Sequence, residues 1–291
     1  MDKLVIALVG GASIGTILAL MALGMVLAFR ATETFNFAHG QFMALPAFII
    51  GYWLMRHPSM FWLAAAVSLV AIGAIGVLLY KLILVRTVGL PHFMPVVATL
   101  GLAAILDGAM AIVFGANQYV IHVPGLPTGI YTIFGARIAT ATLAVSGASL
   151  VLAIGLAALL RFTHIGMMLR AAGQDSTLAS QGGINVHRMY AGSWMVASVL
   201  SGLAGIAYAS TNVVNRSIVD LALIAFPALM LGGLDSVIGA VVGGILIGIL
   251  QGFVATYYDG GAVNVITYFV LLMVLLWRPH GLFGTKQVTR L

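Results

Sequence analysis

The stretch RFTHIGMMLRAAGQDSTLASQGGINVHR, from Arg161 to Arg188, is the longest polar segment of a chain in which only 7% of residues are charged. Long apolar runs precede and follow it. It holds three arginines and a single acid, Asp175. Arginine-rich loops of membrane proteins stay in the cytoplasm, so we place this stretch, called the island below, on the cytoplasmic side of a membrane.

The composition places the whole chain in that membrane. Of its 291 residues, 62% are hydrophobic, and the mean hydropathy is +1.13. Soluble domains carry about 25% charged residues, so these proportions exclude a water-soluble globule. The net charge of +6 indicates Lys and Arg kept on the cytoplasmic side rather than a nucleic-acid surface. The absence of cysteine excludes disulfides, cysteine-ligated metals and thiol nucleophiles.

Apolar runs recur at the length that a bilayer requires, about 20 residues per helix. We therefore predict an all-α polytopic membrane bundle of roughly eight transmembrane spans, built as one membrane domain over residues 1–291. Residues 115–135 carry no Lys, Arg, Asp or Glu and form a predicted external loop, while Arg278, Lys286 and Arg290 predict a cytoplasmic C-terminus. The longer runs are Leu4–Phe29, Phe61–Tyr80, Phe93–Phe114, Ile138–Leu160, Met189–Tyr208 and Val237–Thr256.

Two short polar interruptions break the apolar pattern. They are FNFAHGQ at Phe35–Gln41 and LGGLDS at Leu231–Ser236, and both are followed by a run rich in small residues. Non-helical backbone at membrane depth is tolerated only where protein buries it or where it lines a cavity. A pair of such breaks predicts broken or re-entrant helices that line a translocation path. Two tight interfacial turns would give the same pattern.

The interior of the island predicts two short helices. Gly173 is suited to end the first, Asp175 to cap the second, and Gly182 to end that one at Gln181. Small residues, among them Ala179, offer a face that another protein could approach closely. The island is therefore either an ordinary cytoplasmic loop or a docking element for a soluble partner.

Three groups of residues together resemble the permease subunits of the branched-chain amino-acid type of ABC importer. The chain departs from the family pattern at Gln41, where an acid is common, at Asp235, where glycine is usual, and at Ile238, where proline is usual. The matching residues are Asn36-Phe37-Ala38-His39-Gly40; Arg170-Ala171, Asp175, Ala179 and Gly183-Ile184-Asn185; and Leu231-Gly232-Gly233, Ser236, Gly239-Ala240, Pro279, Gly281-Leu282 and Gly284.

The resemblance implies a multi-pass permease of the bacterial inner membrane that carries amino acids or related small polar solutes inward. It implies two ABC ATPase subunits, a second permease that is identical or homologous, and an extracellular or periplasmic solute-binding protein, with no nucleic-acid partner. This chain would bind no cofactor itself, because ATP and Mg are used by the ATPase. An ion-coupled secondary carrier or a channel is the alternative, although neither needs a docking island.

The candidate site residues come from the resemblance and, for Asp107, from the cost of an acid in mid-span, and none of them is expected to be catalytic or metal-binding. The chain has no HExxH motif and no P-loop, so we do not expect an enzyme. Each polar residue within a span could instead be a structural one that bonds a neighbouring helix. The expected solute path contains Asn36, His39, Gln41, Asp107 and Asp235, and the expected ATPase-coupling residues within the loop at 161–188 are Arg170, Ala171, Asp175, Ala179, Gly183 and Ile184.

Overall fold

The computed structural model describes residues 2–87, 93–258 and 260–284. Lys286 and Arg290, two of the charges that predict a cytoplasmic C-terminus, lie outside these residues. The described α-helices are α1 (Asp2–Thr32), α2 (His39–Leu54), α3 (Phe61–Leu82), α4 (Phe93–Phe114), α5 (Thr140–Phe162), α6 (His164–Gln174), α7 (Ser176–Gln181), α8 (Val186–Ala209), α9 (Leu221–Gly232), α10 (Val237–Tyr257) and α11 (Ala262–Trp277).

Short elements join these helices. Two 3₁₀ helices, Leu84–Thr87 and Arg216–Asp220, follow α3 and α8. Strands β1 (Ile130–Ile133) and β2 (Ala136–Ala139) form an antiparallel hairpin in which Ile130 lies opposite Ala139. β1 lies in the last part of the predicted external loop, whereas β2 takes the first two residues of the predicted span Ile138–Leu160, whose helix begins at Thr140.

The all-α multi-pass bundle is confirmed, but the count of eight spans is not. Among the described residues, six helical segments are long and apolar enough to cross a membrane: Asp2–Thr32, Phe61–Thr87, Phe93–Phe114, Thr140–Phe162, Val186–Ala209 and Val237–Tyr257. The helices α2, α9 and α11 have 16, 12 and 16 residues, fewer than the about 20 that a full crossing takes.

One compact unit is built from the described parts of residues 1–26, 127–157 and 223–291. Within it, glycines bring α1 and α10 into close contact. A Cβ on Gly11 would lie 2.7 Å from the Gly248 carbonyl oxygen, and Gly15 approaches the Gly244 carbonyl in the same way. Small residues at four-residue spacing permit such packing, because no side chain separates the two backbones.

The second compact unit is built from the described parts of residues 27–126 and 158–222. Its centre is formed by α2, α3 and α8, which pack against one another around the fully buried Trp194. A Cβ on Gly76 of α3 would lie 2.7 Å from the Trp194 carbonyl oxygen, and Gly205 of α8 meets the Met43 backbone of α2 directly. These contacts fix the depth of α2 against α8, and therefore the position of the residues that begin α2.

Candidate functional site

The first interruption lies between α1 and α2, at residues 33–38, which we call the buried break. Glu33 adopts φ of 51°, in the left-handed region, and its N–H donates to the Phe29 carbonyl to end α1. The Asn36 side-chain oxygen accepts from Ala38 N at 3.0 Å, and the Asn36 carbonyl accepts from His39 N at 3.3 Å. This Asx-type turn starts α2 two residues before the predicted end of the break, so His39–Gln41 form the first turn of a helix.

The polar residues at the start of α2 are buried inside the second unit. Asn36, His39 and Gln41 are 4%, 0% and 9% exposed. Ser201 of α8 donates to the His39 carbonyl at 3.4 Å. A Cβ on Gly40 would lie 2.6 Å from the Val219 carbonyl oxygen, so only glycine allows the 3₁₀ helix Arg216–Asp220 to lie this close. Three of the predicted path residues are therefore brought together.

A residue that the sequence analysis missed holds the buried break against α4. The Thr99 hydroxyl accepts from Phe37 N at 3.3 Å and donates to the Phe35 and Val96 carbonyls at 3.3 and 2.9 Å. Thr99 has no exposed surface. Its only sequence signal is a hydroxyl in an otherwise apolar first half of α4, which is too common a feature to single it out.

Two buried polar atoms face this region without a protein partner. Within the described residues, neither Asn36 Nδ2 nor Gln41 Oε1 has a hydrogen-bond partner, although both atoms are buried. A buried donor or acceptor left unsatisfied costs about 1–3 kcal/mol. Such groups in native proteins commonly bind water, an ion or a ligand, so the start of α2 has hydrogen-bonding capacity available for a small polar molecule.

Asp107 forms an ion pair that the sequence did not suggest. Its Oδ2 lies 2.5 Å from Arg216 Nη2 of the 3₁₀ helix that follows α8, and the two side chains are 42% and 46% exposed. The pair therefore ties α4 to the same segment that lies against Gly40. The signal that could have found it was the single Arg in the polar stretch 211–220.

Asp235 belongs to the other unit, in a loop at residues 233–236 between α9 and α10. α9 continues through Gly232, so the second interruption begins two residues later than predicted. The C-terminal segment covers this loop: Leu282 N donates to the Leu231 carbonyl at 2.8 Å, and Phe283 N donates to the Gly232 carbonyl at 3.0 Å. Asp235 thus lies beside backbone supplied from near the C-terminus.

The island folds as its sequence predicts. α6 ends at Gln174, and the Asp175 carboxylate accepts from Thr177 N and Leu178 N, each at 2.9 Å, to cap α7. α7 ends at Gln181, and Gly183 follows with φ of 85°. Arg170 donates to the carbonyls of Leu160 and Arg161 at the end of α5, at 2.6 and 3.4 Å. The predicted cap and the end of α7 are confirmed, whereas Gly173 is itself helical and α6 ends one residue later, at Gln174. Arg170 joins the island to α5.

The island is attached directly to the helix that leads into the buried break. A Cβ on Gly173 would lie 2.6 Å from the Arg30 carbonyl oxygen, so α6 lies against the last turns of α1. The Tyr190 hydroxyl of α8 donates to the Ala172 carbonyl at 2.8 Å. Ala172 itself is 1% exposed. Movement of α6 would therefore be passed to the ends of α1 and α8.

The outward face of the island differs from the one expected. Ala179 is 7% exposed, so its small side chain is explained by packing within the island. Leu178 beside it is 64% exposed. Asp175 and Gly183 are exposed as well, and Ala171 and Ile184 are half-buried. The sequence signal for Leu178 was its place as the one large apolar residue in STLASQ.

A cavity of about 1150 Å³ lies between the island and the ends of α1, α3 and α8. Its lining is rich in charged and hydrogen-bonding groups. Glu33, at the start of the buried break, is among them, and so are Arg30, Asp175, His187 and Tyr190. The cavity therefore extends from the start of the buried break to both helices of the island.

These features define a class: a multi-pass helical membrane protein with a buried polar break in one unit and a helical island that is predicted to be cytoplasmic. Residues 7–277 match the family described as "Branched-chain amino acid transport system / permease component", and the chain belongs to that family. Its subunits are transport components, so the expectation of a permease subunit is confirmed and nothing favours the carrier or channel alternative.

Relatives named as branched-chain amino acid permeases align along nearly their whole length. The "High-affinity branched-chain amino acid transport system permease protein LivH" of Salmonella typhimurium is 24% identical, over 96% of this chain and 95% of the relative. The corresponding protein BraD of Pseudomonas aeruginosa is 26% identical, over 97% and 96%. A probable LivH of Methanocaldococcus jannaschii is 27% identical, over 94% and 91%. No solved structure matches the chain.

The expected location is confirmed as well. Six apolar helices long enough to span a membrane, together with the similarity to LivH and BraD, make this a multi-pass protein of the bacterial inner membrane.

Proposed function

We propose that this chain is the membrane-spanning subunit of an ATP-driven importer for branched-chain or closely related amino acids. The observation that carries the proposal is the family match over residues 7–277, whose relatives are named as branched-chain amino acid permeases. In this scheme two ABC ATPase subunits hydrolyse ATP with Mg, and a second permease of the same or a related sequence completes the path. An external solute-binding protein delivers the amino acid.

The buried break is the proposed part of the solute path in this chain. Asn36 Nδ2 can donate to a carboxylate, and Gln41 Oε1 can accept from an ammonium group. The backbone amides that begin α2 lie beside them, at the positive end of the helix dipole. These are groups that an α-amino acid requires, and they lie at the start of a helix too short to cross the membrane alone.

Asp107 and Asp235 have different proposed contributions. Asp107 holds Arg216, and through it the 3₁₀ segment that closes on Gly40, so it would shape the path from its side. Asp235 lies in the loop covered by the C-terminal segment, where it would help to order the junction of α9 and α10. The cavity that Glu33 lines is the proposed route by which the solute leaves the break toward the cytoplasm.

The island is the proposed ATPase dock. Leu178 exposes 64% of its surface on a helix predicted to lie in water, and Ile165 and Met167 of α6 expose 56% and 57%. Several exposed apolar side chains on one water-facing element favour a protein contact there. Arg170 and the Asp175 cap keep the two short helices rigid. Closure of the ATPases would push on α7, and the contact of Gly173 with the Arg30 carbonyl would carry the movement to α1 and the buried break.

Reconstitution tests this function. The chain, expressed with its proposed ATPase, second permease and binding protein, is placed in proteoliposomes, and uptake of radiolabelled leucine is followed. We expect uptake only with ATP and Mg on the ATPase side, and none when the ATPase carries an inactivating P-loop substitution. Uptake by the permeases alone, driven by a proton or sodium gradient, would overturn the proposal and establish the carrier alternative.

A further inference from the structure

A second and smaller groove, of about 360 Å³, lies where α3 ends and α8 begins. We call it the interfacial groove. It lies on the side of these helices toward their charged ends, which the charge rule places at the cytoplasmic surface of the membrane. Its lining includes Val77, Tyr80, Lys81, His187, Arg188 and Met195.

The open end of the interfacial groove is positively charged. Lys81 belongs to the last turn of α3 and Arg188 to the first turn of α8, and both are exposed. Within the described residues neither side chain forms an ion pair, and no Asp or Glu lines the groove. The groove thus offers two uncompensated cations, close to the N-terminal amides of α8, to an anionic group.

The other end of the groove is apolar and leads into the membrane. Val77 lies four residues before Lys81, and Met195 lies seven residues after Arg188, which places them about 6 and 10 Å deeper along their helices. Nothing lies within 4 Å of a Cβ built on Gly192, so the floor of the groove stays open between them. Met195 is 43% exposed.

The groove is preformed by a bond across its two walls. The Tyr80 hydroxyl and His187 Nδ1 lie 3.0 Å apart, and they join the end of α3 to the start of α8. α3 and α8 also pack against each other along their length. The two cations and the apolar end of the groove are therefore held at a fixed distance and orientation.

We propose that the interfacial groove binds an anionic phospholipid of the cytoplasmic leaflet. Its phosphate contacts Lys81 and Arg188, and one acyl chain follows Val77 and Met195 past Gly192. Basic pockets between helices at the cytoplasmic surface suit such headgroups. A soluble anion would contact only the two cations and not the apolar end of the groove. The inference depends on the membrane topology and not on the identity of the transported solute or of the ATPase.

Thermal unfolding of the full chain in nanodiscs tests the proposal. We expect replacement of phosphatidylcholine by phosphatidylglycerol to raise the Tm of the unaltered chain by about 3 °C. The double variant Lys81→Gln/Arg188→Gln should lose most of this rise, and so should Gly192→Leu, which fills the channel and keeps both charges. The control Arg56→Gln/Arg137→Gln removes two exposed charges elsewhere and should keep the rise.

Three results would overturn the inference. An equal rise in all four proteins would show a general lipid effect. Inorganic phosphate alone giving the same rise in the unaltered chain and in Gly192→Leu would show a site for soluble anions. A Lys81→Gln/Arg188→Gln variant that keeps the lipid response but no longer co-purifies with the ATPase would assign these cations to the dock instead.

Discussion

The buried break and the island belong to the same unit and are joined by the contact of Gly173 with Arg30, yet they show opposite surfaces. The break and the first turn of α2 that follows it turn polar side chains inward, with Asn36, His39 and Gln41 no more than 9% exposed. The island turns an apolar side chain outward, with Leu178 64% exposed. Each arrangement carries a free-energy cost in isolation, because buried polar atoms lose water and exposed apolar atoms order it.

The difference shows what each region needs from outside the chain. In the proposed function, a buried donor such as Asn36 Nδ2 would be satisfied by water or by a polar solute, and the exposed Leu178 would be covered by the ATPase. Changes at the break should therefore alter transport with assembly intact, and changes at the island should alter assembly first. Four variants test that division.

Leu178→Asp should have the largest effect. A charge in the centre of the proposed contact should prevent docking, so ATP-dependent uptake in proteoliposomes should fall about 100-fold, which corresponds to ~2.7 kcal/mol of lost binding. His164→Asp places the same charge at the exposed first residue of α6, outside the cavity lining, and serves as the control. Equal loss in both variants would indicate general damage to the island and would leave Leu178 with no special part.

His39→Ala should reduce uptake about tenfold while the complex with the ATPase still forms. The imidazole is fully buried at the start of α2, so its removal changes the shape and polarity of the proposed path. Ser201→Ala, which removes only the hydroxyl that bonds the His39 carbonyl, is the matched control and should change uptake less than twofold, roughly 0.4 kcal/mol. Unchanged uptake in His39→Ala would make the residue structural.

Asp107→Asn should reduce uptake about threefold, because it leaves the Arg216 charge without its partner in a half-exposed ion pair at the segment that lies on Gly40. The double variant Asp107→Asn/Arg216→Gln removes both charges and should recover most of the activity. Uptake by the four members of this double-mutant cycle measures the coupling. If the loss of uptake in the double variant equals the sum of the two single losses, expressed as free energies, the two residues act separately. That result is expected of two groups that each line the path.

Glu33→Gly should have the smallest effect on uptake, and it should make the protein more stable. Glycine adopts φ near 51° without the steric cost that a side chain meets there, so the free energy of unfolding should rise by about 0.5–1 kcal/mol, observed as a higher Tm. Uptake should fall less than about twofold if the Glu33 carboxylate only lines the exit cavity. A lower Tm would mean that the carboxylate contributes more than the strain costs.

Local sequence signals predicted the helices well, because those signals act over a few residues. The bounds of α4 agree with its apolar run, and Asp175 caps α7 as its position before Ser176 suggests. The same holds for the end of α7 at Gln181. The length of an apolar run and the residues that cap a helix can both be identified from the sequence of that helix alone.

Features made by distant residues were not predicted. The two interruptions look alike in sequence, yet the first is held by Thr99 of α4 and the second by backbone at Leu282 and Phe283. The partner of Asp107 lies 109 positions further along the chain. The number of spans stays open, because an apolar run of 12 or 16 residues does not reveal whether its helix crosses the bilayer.

The division between path and dock is tested most directly by one quantity, the amount of ATPase that co-purifies per permease with the full chain. We expect a ratio close to that of the unaltered complex for His39→Ala. For Leu178→Asp we expect a ratio well below one tenth, because ~2.7 kcal/mol of binding is lost. Equal ratios for the two variants, whether both are normal or both are low, would contradict the division between path and dock.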